Sequence, residues 1–92
     1  LHYSPVDRNW VVGKVQLASP EQVETALQSA SHAFFSWNKT SAQQRAKHLE
    51  QAADLFEKHR CDLVALLVRE GGKNIQDSLA EIREAVDFCR YY

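Results

Sequence analysis

The sequence predicts a mainly α chain, with one or two short strands at the N-terminus followed by four helices. Three observations carry that reading: a β-branched and aromatic opening stretch, a change of apolar period from two to 3.6 residues at Ser19, and helix punctuation at Thr40 and at Gly71-Gly72. The chain divides into a strand segment over 1–18 and a helical segment over 19–92.

In the opening stretch, Pro5 to Leu17, Val11, Val12, Val15 and Leu17 surround Lys14 and Gln16, so the pattern is a strand or a broken pair of strands. A lone strand leaves its backbone unpaired, and the remaining sequence offers no obvious sheet to receive it. At Ser19 the first helix begins. Ser19 can cap, Pro20 suits the first helical position, and Gln22 completes a capping box. Val23, Ala26, Leu27, Ala30, Ala33, Phe34 and Trp37 then make one apolar stripe that ends near Asn38. A second helix is announced by Thr40 with Gln43 three residues later, and its stripe is Ala42, Ala46, Leu49, Ala53 and Phe56. These two helices are expected to pack as an antiparallel pair. Cys61 to Arg69, with Leu63, Val64, Leu66, Leu67 and Val68, reads as a short buried helix stopped by Gly71-Gly72. The last helix starts at about Asn74 and runs to the end of the chain.

Composition narrows the function classes. Ninety-two residues form at most one small domain, 45% of them hydrophobic and 25% charged. A chain of this length buries only about 60–65% of its unfolded surface, so its core is thin. The net charge of −1, with basic and acidic residues interleaved, supplies no footprint for nucleic acid. No apolar run approaches the roughly 20 residues needed to cross a bilayer, and Leu1 to Pro5 has no signal-peptide character, so a cytoplasmic location is expected. Cys61 and Cys89 lack metal-type spacing and are read as reduced, semi-buried helix residues.

The last helix has two distinct faces. Ile75, Leu79, Ile82, Val86 and Cys89 share one side as a core stripe. On the opposite side stand Asp77, Glu81, Glu84, Phe88 and Tyr91. The aromatics there are either scattered surface residues or part of a wall lining a cavity or a subdomain contact. In the second case Glu84, one turn from Phe88, suits a small substrate bearing an ammonium group, through ion pairing and cation–π attraction.

Catalytic groups are looked for and not found. Glycine occurs only at 13, 71 and 72, so neither a dinucleotide fingerprint nor a phosphate loop can be built. Glu70-Gly71-Gly72-Lys73 could be a glutamate base in a glycine turn, but a helix C-cap with Lys73 at the negative helix end explains it better. His59 and Cys61 are too close in sequence to share a helix face, which disfavours a metal site with His48.

One series of motifs nonetheless points to a family. Phe34-Phe35-Ser36-Trp37-Asn38-Lys39-Thr40, Gln44-Arg45-Ala46 with Leu49, Ala52-Ala53-Asp54-Leu55 and Glu70-Gly71-Gly72-Lys73 follow one another in an order that resembles the N-terminal helices of the aldehyde dehydrogenase superfamily. The run from Glu81 to Tyr92, and Pro5-Val6-Asp7-Arg8 leading to Val11-Val12-Gly13-Lys14-Val15, are similar to the Δ1-pyrroline-5-carboxylate (glutamate semialdehyde) dehydrogenase domain of the bifunctional proline utilization A family. The resemblance implies part of the helical flank of an α/β NAD-binding domain, in a parent that oxidises glutamate γ-semialdehyde with NAD⁺. A bifunctional parent would also carry FAD in a proline dehydrogenase half, on which no residue here bears. It implies that the nucleophilic cysteine, the base and the dinucleotide loop lie further along, so no catalytic, cofactor or metal residue is expected in this chain. It also implies that Glu84 contacts the substrate's amino group, with Phe88 and Tyr91 near the substrate passage.

The chain starts without Met and stops on Tyr91-Tyr92 in mid-pattern, and is therefore expected to be an incomplete part of a larger dehydrogenase. Its expected partners are the remainder of that domain and, through the apolar surface left exposed, further copies of itself. The competing expectation is a stand-alone helical module that uses the acid-aromatic face to bind another protein.

Overall fold

A computed structural model describes residues 1–92 as β1 (His2–Tyr3), β2 (Val11–Gly13), α1 (Pro20–Lys39), α2 (Ala42–Lys58), α3 (Arg60–Gly71) and α4 (Ile75–Tyr91). The mainly helical class and the four helices agree with the sequence pattern. The strands differ from it. β1 and β2 form an antiparallel pair with an irregularity between His2 and Tyr3, so the partner strand comes from within the N-terminal segment itself. Pro5 to Asn9 is the intervening turn, held by Ser4 N–H donating to the Trp10 carbonyl at 2.9 Å and by Asn9 N–H donating to the Asp7 carboxylate at 2.9 Å. Residues 14–18, expected to continue the strand, are irregular because no third strand offers them hydrogen bonds.

The helix ends follow local chemistry. Ser19 caps α1 in a complete capping box with Gln22. The start of α2 is a correction: its cap is Ser41, whose hydroxyl accepts from Gln44 N–H at 3.2 Å, and not Thr40 paired with Gln43. Thr40 is used up in finishing α1, where its N–H donates to the Trp37 carbonyl and its hydroxyl donates to the Ser36 carbonyl. At the end of α3, Gly72 takes the left-handed conformation at φ 64°, and its N–H and that of Lys73 donate back to Val68 and Leu67.

Packing departs most from expectation. The substantial helix contacts are α4 with α2 and with α3, and a smaller one joins α2 to α3. The expected α1–α2 pair is not among the substantial contacts, although α1 touches α2 near their junction, where the Trp37 ring lies 5.9 Å from that of His48. No residue of α1 is buried, and Leu27 and Phe34 of its stripe are 62% and 57% exposed. The connection Thr40–Ser41 is extended at both residues, which carries α1 away from α2 instead of folding it back. The consequence is an elongated body of 48 × 34 × 15 Å with a radius of gyration of 17.3 Å, against about 12 Å for a compact chain of this length.

The core lies on the α2–α4 seam, where Ala53, Ser78, Ile82 and Val86 are buried. Burying Ile82 and Val86 contributes about 1.5–3 kcal/mol each. Ser78 tolerates burial because its hydroxyl donates to the Asn74 carbonyl at 2.7 Å. Of the stripe expected on α4, Ile75 and Leu79 remain exposed: Ile75 lies in the first turn and Leu79 at the edge of the covered face. Likewise α3 has no buried residue, since it is covered on one side only. Cys61 is exposed rather than semi-buried, while Cys89 is partly covered.

The β-hairpin sits on the C-terminal turn of α3. Arg69 lies over the Trp10 ring at 5.2 Å, the His2 imidazole is 3.6 Å from the Glu70 carboxylate, and Pro5 Cγ would lie 3.0 Å from a Cβ placed on Gly72. Gly71, by contrast, has ordinary helical geometry and only a 3.7 Å neighbour, Lys73 Cγ. Gly72→Ala is therefore expected to lower stability by about 1–2 kcal/mol, from left-handed strain plus the Pro5 contact. Gly71→Ala should leave it unchanged or raise it by up to about 1 kcal/mol. Urea unfolding followed by circular dichroism measures both.

Candidate functional site on the last helix

The site is built on α4, and α4 is set by its cap. Asn74 Oδ1 accepts from Asp77 N–H at 2.7 Å, while Asn74 Nδ2 donates to the Asp77 carboxylate at 2.8 Å. Asp77, which the sequence places on the acid-aromatic face, is thus occupied in starting the helix. At the other end Arg90 fixes α4 to α2, reaching Asp54 at 3.6 Å and Glu57 at 3.4 Å.

Between these anchors the expected face splits in two. Glu81 turns toward the α3–α4 connection and accepts a hydrogen bond from Lys73 Nζ at 2.6 Å. It edges an apolar groove of about 520 Å³ floored by Phe56, Leu63, Leu66, Leu67, Ile82 and Ala85. Glu84 and Phe88 line a different concavity, of about 740 Å³, together with Arg60, Arg83 and Asp87. The structure therefore brings Glu84 and Phe88 together, as the sequence suggests, and separates Glu81 from them. Glu84 is exposed and its carboxylate makes no hydrogen bond or ion pair. Phe88 is 52% exposed, and its ring stacks on Tyr92 at 6.2 Å between centroids. Tyr91 stands in solvent against Tyr92, edge to face at 5.0 Å, and does not line the groove.

Arg60 and Arg83 are the groove residues that sequence reasoning passed over. Arg83 adjoins Glu84 and was available to inspection. Arg60 comes from the start of α3, and only the folding of α3 against α4 brings it near. The arrangement can hold a small molecule carrying charges of both signs at an open surface, with an aromatic ring beside one carboxylate.

The electrostatics are those of exposed groups. Lys73 is held above its ordinary value of 10.5, first by the hydrogen bond to Glu81 and then by the attraction of that carboxylate, with Asp77 adding to it. Glu21, in the first turn of α1, is held below 4.5, chiefly by a hydrogen bond from Ser19. No group of three or more His, Cys, Asp or Glu side chains is arranged to hold a metal ion. One N-terminal amide of each of α1, α2 and α4 donates to the capping side chain of Ser19, Ser41 and Asn74, and the Gly71-Gly72 turn ends a helix rather than beginning one. No helix is long and apolar enough to cross a membrane.

A family model described as the aldehyde dehydrogenase family matches residues 2–92. The chain belongs to this family. Among its curated relatives, the bifunctional protein PutA of Escherichia coli strain K12 is 43% identical over 89 residues, which cover 97% of this chain and 7% of that protein. The 1-pyrroline-5-carboxylate dehydrogenase 2 of Bacillus subtilis strain 168 is 42% identical over 89 residues, or 97% of this chain and 17% of that one. The 1-pyrroline-5-carboxylate dehydrogenase of Anoxybacillus flavithermus is 38% identical with the same coverages, 97% and 17%. The chain thus spans between 7% and 17% of the length of these relatives. No solved structure matches it.

The Lys73–Glu81 pair ties the α3–α4 turn to the body of α4, so its contribution has a predictable pH dependence. Because the Lys73 value is raised by folding, the stabilisation is fully present below 10.5 and is lost as pH rises through the higher folded value. Chain stability should fall across that alkaline window by less in Lys73→Met than in the native sequence. Parallel urea midpoints at pH 9 and above decide it, and equal losses would remove the pair from the account.

Proposed function

We propose that this chain forms part of the helical flank of the NAD-binding domain in an L-glutamate γ-semialdehyde (Δ1-pyrroline-5-carboxylate) dehydrogenase of proline catabolism. The observation that carries the reading is the free Glu84 carboxylate beside Phe88, in a chain aligned over 89 residues with proteins named for that activity. In that reaction the aldehyde is oxidised to glutamate, NAD⁺ accepts the hydride and water supplies the added oxygen. Glu84 binds the substrate ammonium and Phe88 gives it an aromatic wall. The nucleophile, the base and the dinucleotide site belong to the remainder of the dehydrogenase, whose partner surface on this chain is the acid-aromatic side of α4. By itself the chain does not turn over.

Two measurements test this. The 92-residue chain mixed with NAD⁺ and glutamate γ-semialdehyde should form no NADH, and turnover would refute the assignment of chemistry to the remainder of the enzyme. In the intact dehydrogenase, Glu84→Ala should raise KM by about tenfold or more, the size of a lost charge-assisted hydrogen bond, with an unchanged melting temperature. An unchanged KM removes Glu84 from the substrate site.

A further inference from the structure

We draw no further inference here: the strongest candidate, the apolar groove of about 520 Å³ that Phe56, Leu63, Leu66, Leu67, Ile82 and Ala85 floor where α2, α3 and α4 meet, is an unpartnered face, and nothing in the structure shows what covers it.

Discussion

Close approach of α2 and α4 is the constraint on which the other contacts depend. It is possible because small residues stand at the crossing: Ala53 on α2 and Ser78 on α4 are both fully buried, with Ile82 and Val86 filling the space beside them. A larger side chain at either small position would force the axes apart. Arg90, bridging to Asp54 and Glu57, and α3, lying along the same helix, both build on this seam. The hairpin is attached one step further out, on the glycine turn of α3. With so little buried, the fold is a thin layer with one well-packed line, as expected of a short chain whose longest helix takes no part in the core.

The same seam explains the candidate site. By engaging the Ser78–Ile82–Val86 side of α4, it directs Glu84 and Phe88 outward into a groove shared with the start of α3. The α3–α4 turn brings Lys73 back over the helix and claims Glu81, leaving Glu84 with no partner of its own. Four carboxylate and aromatic positions that look equivalent on a helical projection are therefore distinct in the fold. Asp77 is engaged by the Asn74 cap, Glu81 is paired with Lys73, and Glu84 and Phe88 face open space.

Membership of the aldehyde dehydrogenase family fits a chain built of four helices and a short hairpin. The matched region is a small share of each relative.

By itself the sequence determined whatever depends on neighbours a few residues apart. The helix starts at Ser19 and Asn74, the left-handed stop at Gly72, the four helical periods and the pairing of Glu84 with Phe88 were all legible, because capping, turn strain and one-turn spacing are short-range effects. Thr40 shows the limit even there: two adjacent capping residues competed, and the one needed to finish α1 could not start α2. Only the tertiary structure decided which apolar stripe is covered. α1 and α2 have comparable stripes, yet the extended Thr40–Ser41 link points one away from the body and leaves the other against α4. The structure also decided that His2–Tyr3 pairs with Val11–Gly13, and that Arg60 joins Glu84 while Glu81 does not. These choices depend on where segments distant in sequence meet. Periodicity marks an apolar face without saying what will lie on it.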